Sequence, residues 1–385
     1  MTLGTKCAFC IVVGLSCVLP TSSKSDVVGT PVVHPLYSDR PDAKHAWAVH
    51  DRNRPLPKKV DAPIGHPPSD AIVLFDGTEK SFRENWCDKN GGETKWKFVN
   101  GTMESVKSAG NICSRREFGD VQLHVEWQAP QVIEGEGQSR GNSGVFVLGG
   151  YYELQVLDSY ETNPDDLRNP NYADGIAGAV YGQNPPLVNP SRPNTDWQVY
   201  DIVFHRAVYD GDRLVRPATI TAFFNGVLIQ DNWEYDGPTL WRFRTKLDGT
   251  TKFGPQPEKG SIQFQDHGNP VHFRNVWVRE IPPRHDNTVH GTFYANEGAV
   301  AKLRRSLAAR LFAEIADPAA SDEKTLHLLA EVVGYVNEDP YAKAFRNCLE
   351  AYRTHPGDGN AVKRVNETLD VLVRAGILQE NEKIK

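Results

Sequence analysis

The sequence has no surplus of basic residues: 43 Lys and Arg stand against 49 Asp and Glu, for a net charge of −6. A protein that grips a phosphate backbone normally shows the opposite balance, so nucleic acid is not an expected partner. Long apolar runs are missing after residue 23, so no membrane span is expected in the body of the chain. No Gly-x-Ser-x-Gly nucleophile elbow occurs. Asn142-Ser143-Gly144 is not one, because it lacks the strand-to-helix context such an elbow needs. Cysteine is scarce: Cys87, Cys113 and Cys348 are the three beyond the leader. No Cys-x-x-Cys lies among them, which argues against a thiolate zinc site. Cys87 and Cys113 are candidates to pair within one domain or to remain buried thiols, and the odd count leaves at least one thiol over.

What is present begins with a leader. Residues 1–23 carry a short basic start at Lys6, an apolar run from Cys7 to Leu19, and small residues at Thr21-Ser22-Ser23. This is the pattern of a signal peptide, and it predicts export to the periplasm or beyond. Cys17 sits in a poor lipoprotein box, since Gly14 occupies the position where an apolar residue is expected. Residues 24–68 are rich in Pro, His, Lys and Asp and read as a linker or extended arm.

From residue 69 to 282 short apolar or alternating runs recur between turn signals: AIVLF, TKWKFV, VQLHVEW, SGVFVL, YYELQVL, WQVYDIVFH, ATITAFF, SIQFQ and VHFRNVWVREI. Asn100-Gly101 and Asn225-Gly226 each separate two such runs, and Asn-Gly tolerates the positive φ angles of a two-residue hairpin. No long helical pattern interrupts the region. An antiparallel all-β sandwich is therefore expected. From about 290 to 385 the period changes to three-and-four spacing, in AVAKLRRSLAARLFAEIA, EKTLHLLAEVVGYV, YAKAFRNCLEAYRT and NAVKRVNETLDVLVRAG. Gly376, just past the last run, is a helix stop signal. A small helical region with no evident chemistry is expected there.

Alternation places side chains on strand faces. In YYELQVLD, Tyr152, Leu154 and Val156 form a core face, while Tyr151, Glu153, Gln155 and Leu157 lie opposite. In VQLHVEW, Gln122, His124 and Glu126 oppose Leu123, Val125 and Trp127. In SIQFQDHG, Ser261, Gln263 and Gln265 oppose Ile262 and Phe264, with Asp266 and His267 at the exit. In VHFRNVWV the alternation is less clean, with His272 and Arg274 on one face. Each row alone is an ordinary wetted sheet face. Together, on one concave surface, they would form a polar groove suited to sugar hydroxyls, with Trp197, Tyr151, Tyr181 or Trp233 available to stack on a ring. A plain retaining glycosidase needs two carboxyls about 5 Å apart. The strand Glu153–Leu157 supplies one acid where sandwich glucanases place them at every second position, so Glu126 would have to provide the other from elsewhere.

The ordered set LFDGT, KWKFVNGTM, EFGDVQLHVEW, GNSGVFV, YELQVLD, GAVYG, WQVYDIVFH, FNGVLI and IQFQDHGNPVHFRNVWVREI resembles the 3-keto-disaccharide hydrolase family, from about Ala71 to Ile281. QDHG followed by FRN is the sharpest piece. The resemblance implies a concanavalin-like jelly roll. It also implies chemistry on sugars oxidised to a ketone at C3, with C2 proton abstraction, C1–O elimination and hydration. It makes Glu153 the first choice for the base or acid and Glu126 the second, with His267 to protonate the leaving oxygen or orient Asp266. Arg274 and Gln265 would hold the enolate or hydroxyls, and Asn142, Gln155, Asp266 and Trp197 would line the substrate site. No cofactor is implied. Asp158 is the one residue considered for a divalent cation, without a supporting ligand cluster. The keto-sugar would come from a separate oxidoreductase, since the chain has no dinucleotide fingerprint. The insertion Val132–Gln138 and the Pro-rich stretch before Trp197 depart from the family pattern and are expected at the groove rim. Two other readings are a non-catalytic carbohydrate-binding sandwich and an envelope protein whose helical tail binds a partner.

Overall fold

The computed structural model describes residues 47, 50, 51, 53–162, 170–239, 255–281 and 297–384. The expected signal peptide and most of the arm lie outside the described residues. The chain divides into two compact units, Leu56–Ala299 and Met1–Pro55 with Val300–Lys385.

The first unit is an antiparallel sandwich. Its strands are β1 (Ile72–Phe75), β2 (Trp86–Asp88), β3 (Lys97–Val99), β4 (Thr102–Glu104), β5 (Ile112–Phe118), β6 (Val121–Gln128), β7 (Ser143–Val147) and β8 (Tyr152–Val156). They continue with β9 (Gln198–His205), β10 (Val208–Asp210), β11 (Arg213–Arg216), β12 (Thr219–Phe224), β13 (Val227–Glu234), β14 (Gly260–Phe264) and β15 (His272–Glu280). One sheet runs β13-β12-β9-β6-β15-β4-β3, with β1 also on β15; the other runs β2-β5-β14-β7-β8. A jelly-roll sandwich of this kind is what the alternating runs call for: one side of each sheet is apolar and must be covered. Leu123, Val125 and Trp127 of β6 and Tyr152, Leu154 and Val156 of β8 are all buried in a single core. Across that core Phe264 stacks on Phe273, with ring centroids 4.2 Å apart.

Both Asn-Gly pairs turn hairpins. Asn100 and Gly101 join β3 to β4 at φ 48° and 78°, and Asn225 and Gly226 join β12 to β13 at φ 52° and 80°. The uneven alternation in VHFRNVWV also has a structural cause. The register of β15 on β6 shifts between Arg274 and Trp277, and Asn275 there takes φ 44°. This bulge turns Asn275 to the same side as Arg274 and returns Val276 to the core. Cys87 and Cys113 are direct partners across β2 and β5. Both are buried free thiols.

The second unit holds α2 (Glu297–Ala313) from Val300 on, α3 (Glu323–Tyr335), α4 (Tyr341–Thr354) and α5 (Gly359–Arg374); α1 (Glu79–Asn85) belongs to the sandwich. Asp322 and Asp358 cap α3 and α5 by accepting from the amides of Thr325 and Ala361, each at 2.8 Å. Gly376, at φ 67°, closes α5. The part of the arm up to Pro55 belongs to this unit, where Asn53 Nδ2 donates to Tyr335 Oη at 3.2 Å. No helix among the described residues is long and apolar enough to cross a membrane.

Candidate functional site

The outer face of the five-stranded sheet carries a cavity of about 820 Å³, lined in part by Gln138, Asn142, Glu153, Gln155, Tyr181 and His267. Strand register explains why these residues meet. Glu153 pairs with Phe146, and Phe146 pairs with Gln263. On the far side, the bridge between Leu154 and Val180 lays Tyr181 beside Glu153, and the Tyr181 amide donates to the Glu153 carbonyl at 3.4 Å. Phe146, Glu153 and Tyr181 therefore form one row across the cavity floor.

Glu153 is 6% exposed. Burial alone pushes its carboxyl up to about 8 from the ordinary 4.5. No described side chain answers it with a positive charge: His267 is the basic residue on the wall, and neither Lys nor Arg lines the cavity. A buried carboxyl without an ion-pair partner is costly and strongly favours its neutral form. Space for it is left by Gly144, since a Cβ at that position would collide with Glu153 Oε1.

The wall is an amide cluster centred on Gln138. Its Oε1 accepts from Gln155 Nε2 at 3.0 Å and from Asn142 Nδ2 at 3.4 Å. Its Nε2 donates to the Gly175 carbonyl at 2.8 Å and to Asn171 Oδ1 at 3.0 Å. The loop that carries Gln138 is anchored by a buried ion pair: Arg140 Nε donates to Asp158 Oδ2 at 2.8 Å and its Nη2 lies 2.9 Å from Glu161. Asp158, considered for a cation, thus holds a guanidinium. Gln265 reaches the cavity through backbone bonds that fix its strand end: its amide donates to Gly144 O at 3.1 Å and its carbonyl accepts from Ser143 Oγ at 2.7 Å. Asp266 accepts from the amides of Gly110 at 3.0 Å and Gly268 at 2.9 Å. It shapes the turn that sets His267 at the rim.

The single groove expected from the alternation does not form. Glu126, Arg274 and Trp197 stand on the outer face of the eight-stranded sheet, with the whole core between them and Glu153. Sheets in a sandwich pack about 10 Å apart before side chains are counted, so the two carboxyls cannot share a substrate atom. On that far face Arg274 Nε donates to Glu126 Oε2 at 2.6 Å and Asn275 Nδ2 donates to Glu126 Oε1 at 2.8 Å. The Arg274 guanidinium lies 4.0 Å from the Trp197 ring centroid. His124 contacts Asp201 at 2.7 Å and stacks on Trp277. Burial alone would raise the carboxyl of Glu126, but hydrogen bonds from His124, Asn275 and Arg274 outweigh it and hold the group down at about 2. Burial would likewise lower His124, yet Asp201 and Glu126 carry it up to about 9. Of the four aromatic candidates, Tyr181 lines the cavity, while Tyr151 and Trp233 pack on the core.

Residues 70–279 match the family model described as the 3-keto-alpha-glucoside-1,2-lyase-like domain. The chain belongs to this family. Every residue of the cavity named above falls inside the matched span. A candidate glycosyl hydrolase from Parabacteroides distasonis ATCC 8503 is 37% identical over 59% of this chain and 93% of its own, with a TM-score of 0.52. A second candidate glycosyl hydrolase from the same organism is 20% identical over 55% of this chain and 94% of its own, with a TM-score of 0.39. No curated protein matches the chain. The family membership makes this a glycosyl hydrolase-like, carbohydrate-active domain.

Gln138, Ser139, Phe146 and Tyr172 line the cavity without having been singled out as site residues by alternation. Gln138 had one usable signal, its place at the end of the inserted Val132–Gln138 loop. Tyr172 had none, because it reaches the site from a long connection between β8 and β9.

Proposed function

We propose that the sandwich cleaves 3-keto-glycosides by elimination across C1 and C2, with Glu153 as the base. The observation that carries this reading is Glu153 itself: a buried carboxyl, raised by desolvation, with neither Lys nor Arg lining the cavity of a 3-keto-glucoside lyase-like domain. A ketone at C3 acidifies the C2 hydrogen. A carboxylate with a raised proton affinity is a stronger base for it than an ordinary one. The enolate that follows would be met by the side-chain amide of Gln265 on the cavity wall, and collapse expels the oxygen at C1. Water can then add to the unsaturated sugar, giving net hydrolysis. One carboxyl suffices, which agrees with the absence of a second acid on β8. A merely sugar-binding surface gains nothing from an unpaired buried carboxyl, which lowers stability.

The substrate's ketone would be made by a separate oxidoreductase. The test is direct: purified protein is given a panel of 3-keto-glucosides of both anomers beside the parent glucosides. Release of the aglycone from the keto forms alone is expected, with loss of about 10²–10⁴-fold in Glu153→Gln. Turnover of the parent glucosides, or none of any keto form by folded protein, defeats the reading.

A further inference from the structure

The cavity holds a second dissociable group that the elimination as described leaves unused. Tyr172 and Tyr181 hydroxyls are hydrogen-bonded to each other at 2.8 Å. Their rings lie 6.4 Å apart, tilted at 59°, so they do not form one flat stacking platform. Tyr181 neighbours Glu153 across the edge of the sheet. Tyr172 is 44% exposed, and both line the cavity. In a pair of hydroxyls, one proton lies between the two oxygens and the other remains free to donate. If Tyr172 supplies the shared proton, the free one belongs to Tyr181, on the side of the carboxyl.

We infer that Tyr181 is a second catalytic residue, the proton donor to the leaving-group oxygen, with Tyr172 as the positioning residue that returns the proton from solvent. The inference rests on the elimination proposed above. Glu153 takes the C2 hydrogen as a proton, and its electron pair enters the C3 carbonyl as an enolate. The enolate re-forms the carbonyl, the C1–C2 double bond forms, and the C1–O bond breaks with its electrons on oxygen. Tyr181 Oη gives its proton to that oxygen, the Tyr172 proton moves to Tyr181, and water restores Tyr172. Glu153 then releases its proton to water, so charge and protons balance. Burial raises Tyr181, so the phenol stays protonated over the range in which Glu153 ionises. His267 sits at the exposed rim and is not required for this step.

The experiment separates the two half-steps. Wild type, Tyr181→Phe and Tyr172→Phe, each checked by thermal melting, are given a 3-keto-glucoside of an aliphatic alcohol and one of a nitrophenol. Exchange of the C2 hydrogen with D2O is followed in parallel. Tyr181→Phe should lose about 10²-fold or more on the aliphatic glycoside. It should lose less than about tenfold on the nitrophenyl glycoside, whose oxygen leaves without a proton, and should keep C2 exchange. Tyr172→Phe should show the same pattern, weaker, with kcat moved more than KM. Equal losses on both glycosides, or loss of C2 exchange, would overturn the role of Tyr181 while leaving Glu153 as base. A wild type inert on both glycosides and in exchange would instead overturn the elimination itself, and this inference with it.

Discussion

A side chain on residue 144 and the carboxyl of Glu153 would claim the same space, because Glu153 Oε1 lies where a Cβ of Gly144 would be built. Gly144 is thus a part of the site without any chemistry of its own. Gly144→Ala is expected to fold, since β7 is otherwise regular, but to displace the carboxyl. A shift near 1 Å at a reacting group costs about 10²-fold. Kinetics on a 3-keto-glucoside alongside a melting curve checks this; full activity in a folded variant would show the carboxyl is not placed as described.

The raised proton affinity of Glu153 sets the pH dependence. As the base, it must be ionised, so kcat/KM should climb as pH rises through about 8. An acid in the same position would give the reverse, with activity falling through that value. A pH–rate profile decides the sign.

The same group links activity to stability. The folded state holds the Glu153 proton up to about 8 and the unfolded chain only to its ordinary 4.5. Between these values the native state binds more protons, so stability declines as pH rises across the window. Glu153→Gln removes that loss. It should lose about 10²–10⁴-fold in activity yet be more stable than wild type above pH 5, by up to about 3 kcal/mol at pH 7. Denaturant melts at pH 5, 7 and 8.5 test it; a gap that does not widen with pH contradicts the buried, unpaired carboxyl.

The Arg140–Asp158 pair anchors the loop that presents Gln138 and Asn142. Asp158→Ala leaves a nearly buried guanidinium with Glu161 alone and should cost about 3–5 kcal/mol. Replacing both partners with apolar residues, as Arg140→Met with Asp158→Leu, should recover most of that stability while activity stays low. Comparing the single and double variants by melting and by kcat separates stability from loop placement.

Glu126 lies across the core from the cavity, so Glu126→Gln should leave kcat unchanged. It should destabilise the sandwich by about 1–3 kcal/mol, by weakening bonds from Arg274 and Asn275. The deficit should shrink as pH falls from the ordinary carboxylate value towards about 2, where wild-type Glu126 itself becomes protonated. A large loss of kcat at unchanged stability would place Glu126 in the reaction after all.

Local chemistry was enough to mark most of the strands, though not β2, β5, β10 or β11, together with the two Asn-Gly hairpins, the four C-terminal helices and the inward faces of β6 and β8. Each depends on a period of two or about 3.6, or on a φ angle that Asn and Gly tolerate, and such properties are carried by neighbours in the chain. Glu153 was legible for the same reason: alternation put it opposite Tyr152 and Leu154. Alternation states that a residue is off the core, but it does not state which of two sheets it stands on. Glu126, Arg274 and Trp197 followed the same period as Glu153, and strand order alone sent them to the far face. Strand order and sandwich closure likewise decided that Gln138, Tyr172 and Tyr181 gather round Glu153. These contacts join residues far apart in sequence, and they are set by which strands pair and which loops fold over them.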